Sequence, residues 1–160
     1  MSFYSEFANG MARALVSAAT ETRSAREIAE TCCDELGWSI DERFSVNELC
    51  LHFKDPVVGI RKVFVTIGDQ DTTLTFEVRS AANRPLESIP LDVFGYLLVR
   101  NGKMVVAWQA RQQIGGNVIF ALKYCALAFG FHAAHFKFIC ESMANEALAF
   151  DTEMRKADLL

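Results

Sequence analysis

A chain of 160 residues, 51% of them hydrophobic and 22% charged, is large enough to bury its own core and is typical of one globular domain without structural disulfides or metals. Its net charge of −4 argues against nucleic acid as a partner, because phosphate binding needs clustered Lys and Arg. Five cysteines without a CxxC pair, and an N-terminus without a recognisable secretory signal, lead us to expect reduced thiols in the cytoplasm.

The first well-marked helix begins after Ser24, where Glu27 three residues later completes the pattern of a capping box. The segment AREIAETCCDELG then ends at Gly37, which is a typical C-terminal stop. The apolar line of this helix consists of Ile28, Cys32 and Leu36.

Three segments with period-two alternation follow this helix. They cover residues 49–53, 63–67 and 74–78, and apolar side chains alternate in each with smaller or more polar ones. The intervening KDPVVG and GDQD are rich in turn-forming residues. The pattern predicts a three-stranded antiparallel meander with one wet face.

A second helix is predicted after Pro90, where LDVFGYLLVRNG ends at Asn101 and Gly102. This segment has almost no polar side, and a short helix that is apolar all round must be covered on more than one side. One sheet covers only one side. We therefore expect a partner subunit or a bound polypeptide to cover another.

The most apolar stretch, MVVAWQARQQIGGNVIFALKYCALAFGF, spans residues 104–131. A membrane-spanning helix needs about 18–20 uninterrupted apolar residues, and Arg111, paired glutamines, paired glycines and Lys123 interrupt this run. Gly115 and Gly116 followed by an asparagine suit a tight reversal. We therefore expect a β-hairpin, and a helix over residues 117–129 is the alternative.

The closing segment HAAHFKFICESMANEALAFDTEMRK predicts the best-defined helix of the chain. Its core face is expected at spacings of three and four residues, namely Phe136, Ile139, Met143, Ala147, Phe150 and Met154. A second apolar line lies about 120° around the helix axis and consists of Phe131, His135 and Phe138. If the first line packs on the sheet, the second needs another neighbour.

The predicted order is therefore α-β-β-β-α-β-β-α, with helices packed on an antiparallel sheet that combines the meander and the C-terminal hairpin. Helices segregated against antiparallel strands define the α+β class. We expect a single domain over residues 1–160. Within it, residues 1–22 are a candidate helical extension, with a helix over residues 3–20, and residues 24–154 form the core.

That order resembles the type III secretion chaperone fold, including the YbjN-like bacterial proteins that share it. The resemblance covers Ser24 to Met154. It rests on the meander, on SIPLDVFGYLLVRNGKMVVAWQA as a second helix leading into a strand, and on FHAAHFKFICESMANEALAFD as a long closing helix. Such a resemblance implies a small acidic homodimer, often paired through its second helix, that holds another polypeptide and performs no chemistry.

Two kinds of surface follow from these expectations. The partner or dimer surface is expected at apolar residues of the second and third helices, namely Leu91, Phe94, Tyr96, Leu97, Leu98, Phe131 and Phe138. The alternative is a small-molecule pocket between the sheet and the closing helix, lined by Trp108, Tyr124 and His135, with Phe138 nearby. Trp108 is itself expected in the core, with ligand stacking as the minority alternative.

No residue combination carries the signature of an active site, so we expect no enzyme and no cofactor. His132, His135 and Cys140 lie near each other in sequence, but Cys140 lies well round the helix from His135, and no metal site is expected. If the chain were an enzyme, His52, which lies mid-strand among apolar residues, would be the first ionisable group to examine.

The adjacent Cys32 and Cys33 are expected to be one buried and one peripheral thiol. A redox role would need an exposed thiol with a lowered pKa, and the charges of Asp34 and Glu35 disfavour a thiolate. The expected partners are therefore a second copy of the chain and another polypeptide, without nucleic acid or membrane.

Overall fold

A computed structural model describes residues 23–159, apart from residues 46, 69, 103 and 105 and the side chains of residues 42–44. The helix expected over residues 3–20 lies outside these described residues. No helix in the described part of the chain is long and apolar enough to cross a membrane.

The predicted α+β class is confirmed. In the described residues the helices are α1 (Ala25–Leu36), α2 (Leu91–Asn101) and α3 (Ala133–Lys156), with a short 3₁₀ turn at Leu86–Ser88. The strands are β1 (Glu42–Ser45), β2 (Glu48–Asp55), β3 (Gly59–Ile67), β4 (Thr73–Pro85), β5 (Ala107–Gln112) and β6 (Asn117–Leu127). The elements in these residues that sequence did not predict are the 3₁₀ turn and β1, which is too short to show an alternation pattern.

All six strands form one antiparallel sheet in the order β1-β2-β3-β4-β6-β5. The meander β2-β3-β4 is therefore continued by the hairpin β5-β6, whose inner strand pairs with β4. Val65 pairs with Phe76, and Phe76 pairs with Tyr124. This register places the alternating apolar residues of neighbouring strands on the same face of the sheet.

The stretch over residues 104–131 does contain a hairpin, and residues 117–127 are strand rather than helix. Gly115 and Gly116 have φ of 106° and 91°, values that residues with side chains rarely adopt. Gln113 donates its N–H to the carbonyl of Asn117 at 2.7 Å. The paired glycines thus close the reversal, as expected.

A wide bulge interrupts β4 where it pairs with β6. Arg79 lies opposite Ala121 and Asn83 opposite Ile119, so four steps along β4 correspond to two along β6. The bulge frees backbone N–H groups of residues 80–82 from the ladder. One of them is used by a buried carboxylate, described below.

Each helix begins and ends close to the predicted positions. Ser24 and Glu27 form a capping box at the start of α1, and Gly37 ends it with φ of 65°. Trp38 then places its ring edge against Phe53 at 5.2 Å.

The helices cover one face of the sheet and enclose the core. α3 packs across β4 and β3 and against α1, while α2 packs against β5. All six residues predicted for the core face of α3 are buried, so this prediction is confirmed. Phe76, Phe136 and Phe150 are the largest fully buried side chains.

Candidate functional site

The outer side of α2 exposes a group of apolar side chains. Leu91, Leu98 and Val99 are 83%, 72% and 59% exposed, and at 100° per residue they fall on one side of the helix. Gly95 is exposed between them. We call these four residues the α2 surface. Exposed leucines are ordinary when scattered singly, but a grouped apolar patch is typical of an interaction site.

The inner side of α2 is anchored in the core. Val93 and Leu97 are 6% and 5% exposed, and the ring of Phe94 lies 6.2 Å from that of Phe120. One side of the helix is therefore buried and the other exposed, although almost all of its residues are apolar. Its packing on the sheet leaves the α2 surface without a described neighbour.

Polar contacts fix the last turn of α2 against α3 and β5. Arg100 forms a bidentate pair with Glu146, with Nε 2.6 Å from Oε1, and Glu146 also accepts the indole N–H of Trp108 at 3.1 Å. The hydrogen bond with Glu146 raises the pKa of Arg100. The side-chain amide of Asn101 pairs with the N–H and the carbonyl of Trp108 at 2.7 and 3.0 Å. α2 is thus held rigidly.

Two residues expected in the partner surface lie in the core instead. Leu97 is on the inner side of α2, and Phe131, 8% exposed, precedes α3 and stacks on Phe76 at 6.0 Å. This placement corrects the sequence-based assignment for these two residues. For Leu97 the physical reason is that one side of an all-apolar helix must face the sheet, and composition does not tell which side. Phe131 lies before the first residue of α3, so the spacing of that helix does not place it.

The other five residues of the expected partner surface are at least partly accessible. Leu91 and Leu98 belong to the α2 surface, and Phe94 and Tyr96 are half-buried at its flanks. Phe138 is 67% exposed and lies on α3. It is therefore a separate exposed residue rather than part of the α2 surface.

The three residues expected to line a pocket have different ring partners. Trp108 packs on Phe150 at 4.5 Å and is only 4% exposed, as expected for a core residue. Tyr124 lies 6.1 Å from Phe76. His135 is exposed and stacks on Phe131 at 4.6 Å.

A buried ionic network joins the sheet to α3. Arg61 is 2% exposed and lies between Asp55 and Asp151, which are 6% and 0% exposed. Its Nε lies 2.6 Å from Oδ2 of Asp55, and its Nη1 lies 2.7 Å from Oδ2 of Asp151. Asp151 also accepts the hydroxyl of Ser80 and the N–H of Ala81, which the β4 bulge exposes to it. The network is structural, because every member is engaged within the core.

The pKa values of two carboxyls reflect such pairing. Burial by itself raises the pKa of Asp55, but the N–H groups of Val58 and Val57, together with Arg61, hold it below its usual range. On the other face of the sheet, burial likewise raises the pKa of Glu77, but Arg79 and Arg111 outweigh it and lower the value. Both carboxylates are therefore charged at neutral pH.

Four of the five cysteines are buried, and all five are free thiols. Cys33, expected at the periphery, is completely buried, because the α1 side that carries it packs on α3. Burial raises the pKa of Cys32 to about 11 and that of Cys33 to about 12. These thiols are protonated at neutral pH and unreactive.

Sequence reasoning missed the Asp55, Arg61 and Asp151 network and did not single out Gly95. The network joins residues far apart in the chain, so no local pattern could reveal it. Gly95 did carry a signal, since a glycine in the middle of a helix is unfavourable by about 1 kcal/mol relative to alanine.

Comparison with known proteins supports the fold. No protein-family model and no curated protein matches the chain. The crystal structure of YbjN from E. coli is similar to it, with a TM-score of 0.61 and 17% sequence identity over 84% of this chain and 93% of YbjN. At this identity the similarity shows the fold alone. The fold of the chain is thus a distant variant of the YbjN fold.

Proposed function

We propose that the chain is a non-enzymatic protein-binding module that forms a homodimer through the α2 surface and binds a further polypeptide. The observation that carries this proposal is the exposure of Leu91, Leu98 and Val99 on one side of a helix that is otherwise fixed in the core. Water contact with three grouped apolar side chains is unfavourable, and burial against a partner removes it.

Gly95 supports a close helix contact. A Cβ atom built on Gly95 meets no atom within 4 Å, so the packing of the described residues does not require a glycine there. Glycine nevertheless weakens the helix by about 1 kcal/mol. If the backbone of a partner approaches α2 closely at this point, it leaves no room for a side chain, and glycine is the residue that fits.

The arrangement favours a second copy of the chain over an unrelated partner. Leu91 lies four residues before Gly95 and Leu98 three residues after it, so the two leucines of the α2 surface are placed nearly symmetrically about the glycine. Two antiparallel copies of α2 that cross at Gly95 would bring Leu91 of one chain against Leu98 of the partner subunit. Such self-complementarity is what a two-fold interface needs.

The two resemblances bear on this proposal in different ways. The resemblance to type III secretion chaperones, which is an expectation from the sequence alone, implies an acidic homodimer that holds another polypeptide. YbjN is described as a proposed transcription regulator, but the net charge of −4 of this chain favours a protein partner over nucleic acid. Neither resemblance assigns the bound polypeptide.

The experiment that tests the proposal is the solution mass by light scattering. We expect about twice the chain mass of 17.9 kDa for the wild type and a monomer for Leu98→Asp, because the charge would be buried in the interface. Leu97→Asp is unsuitable, since Leu97 is a core residue whose substitution would unfold the chain. Leu127→Asp is the matched control, because Leu127 is 62% exposed and lies outside α2.

Unchanged circular dichroism in all variants would show that the fold is intact. A monomeric wild type, or a Leu98→Asp variant with the mass of the wild type, would contradict pairing through α2. Dissociation of the Leu127→Asp control would place the interface elsewhere.

A further inference from the structure

The turn between β5 and β6 exposes an isoleucine completely. The relative exposure of Ile114 is 109%, and the residue stands directly before Gly115 and Gly116, whose positive φ values close the reversal. We call residues 113–116 the hairpin tip. Tight turns favour Gly, Asn, Asp, Ser and Pro, so the reversal itself does not call for an isoleucine. A side chain this exposed also contributes almost nothing to the core of its own chain.

A second exposed apolar residue lies beside the hairpin tip. Pro85 pairs with Asn117, the first residue of β6, and Leu86 follows Pro85 directly. Leu86 is 45% exposed. The ladder between β4 and β6 therefore places Leu86 next to the turn that carries Ile114, at the same end of the sheet.

The α2 surface begins at this end of the sheet as well. Leu91, the first residue of α2, follows shortly after the 3₁₀ turn Leu86–Ser88. At the other end of the helix, the side chain of Asn101 pairs with the backbone of Trp108, near the start of β5. α2 therefore runs antiparallel to β5, and Leu91 lies toward the hairpin tip. The exposed apolar residues of the tip thus continue the α2 surface.

The α2 surface alone is too small for a stable dimer. A standard interface buries about 800 Å² on each partner and involves about 20–30 residues a side, whereas the α2 surface consists of four. An interface through α2 must therefore extend further. Among the described residues, Leu86 and Ile114 are exposed apolar residues that continue it. Two antiparallel copies of α2 would also bring the hairpin tip of one chain to the last turn of α2 in the other.

We propose that the hairpin tip contacts a second copy of the chain, where Ile114 packs beside Val99 of the partner subunit. Val99 is 59% exposed and lies in the last turns of α2. A two-fold axis would form this contact twice, once at each end of the paired helices. The inference rests on the function proposed above, because it needs the same dimer, and it adds residues outside α2 to the interface.

The test is the dimer dissociation constant of the full chain, measured by sedimentation equilibrium. We expect Ile114→Asp to raise this constant about ten-fold or more, since a charge would replace an aliphatic side chain that the interface buries. Ile60→Asp is the matched control, because Ile60 is 59% exposed and lies on β3, which β4 separates from the hairpin. Its dissociation constant should equal that of the wild type. Circular dichroism should show the same fold in all variants.

A photo-cross-link tests the contact itself. With p-benzoylphenylalanine at position 114 and one copy isotopically labelled, mass spectrometry should find a cross-link between copies to residues 98–102. A cross-link between copies that avoids α2 would overturn the proposal.

The outcomes separate this inference from the function on which it rests. If Leu98→Asp is monomeric while Ile114→Asp dimerises as the wild type does, the contact of the hairpin tip is wrong and pairing through α2 stands. A monomeric wild type would contradict both. Equal weakening by Ile60→Asp and Ile114→Asp would overturn the tip contact, and so would a Leu98→Asp variant that dimerises as the wild type does, because the tip would then not lie against α2.

Discussion

Arg61 is the cation that pairs with two buried carboxylates, Asp55 and Asp151. Of the single substitutions proposed, we expect that of Arg61 to lower the free energy of unfolding most. Replacement by Met keeps much of the side-chain volume but leaves both carboxylates without a cation. We expect Arg61→Met to lower the free energy of unfolding by about 3–5 kcal/mol, measured by urea denaturation.

Arg79→Met is the matched control for this substitution. Arg79 also pairs with a carboxylate, Glu77, but its side chain is 50% exposed, so we expect a loss below about 1 kcal/mol. If the two variants lost equal free energy of unfolding, burial would not be what determines how much the Arg61 network contributes to stability.

His135 makes the stability depend on pH. Although His135 is exposed as a residue, its ring is partly buried by stacking on Phe131. This partial burial, and then the neighbouring His132, lower the pKa of His135 in the folded chain, so the unfolded chain binds the proton more readily. Its contribution to stability is therefore complete above about pH 6.5, the ordinary value for histidine, and is lost as the pH falls below it. The urea midpoint of the wild type should decrease as the pH falls below that value, and we expect a smaller decrease for His135→Gln. Identical slopes in variant and wild type would contradict this assignment.

At the scale of elements, the sequence predicted that α2 is a helix but not which of its sides is buried. The composition of LDVFGYLLVRNG indicated a helix covered on more than one side. It could not distinguish Leu97, which faces the core, from Leu98, which faces outward, because both sides of the helix are apolar. Contacts with other elements, among them those of Arg100 with Glu146 and of Asn101 with Trp108, fix the rotation of the helix.

Gly95 provides a test of whether the fold of the chain itself needs a glycine in α2. In the Leu98→Asp background, where we expect a monomer, Gly95→Ala should raise the free energy of unfolding by about 0.5–1 kcal/mol, since its Cβ atom would meet nothing within 4 Å. Urea denaturation measures the change. A loss of stability would mean that contacts within the chain require the glycine, and the glycine would then no longer indicate a close approach of a partner.

At the scale of the whole molecule, the α+β order and the core followed from local patterns. The spacing of three and four in α3 identified six buried residues, and paired glycines located the hairpin turn. The bulge in β4 and the buried network at Asp151 could not be predicted, because they depend on contacts of Ser80 and Ala81 with a helix some 70 residues later. The exposure of Leu91 and Leu98 agrees with the sequence pattern and the burial of Leu97 does not, and their role in binding a partner stays a prediction.

Disulfide cross-linking between positions 91 and 98 probes pairing through the α2 surface. In a Cys125→Ser background, which removes the exposed thiol, two antiparallel α2 helices that cross at Gly95 would bring a cysteine at position 91 of one chain close enough to bond with a cysteine at position 98 of the second copy. We predict a disulfide-linked dimer for the double variant Leu91→Cys, Leu98→Cys under mild oxidation, and none for Leu127→Cys in the same background. A monomer for the double variant, or equal cross-linking of the double variant and Leu127→Cys, would contradict pairing through α2.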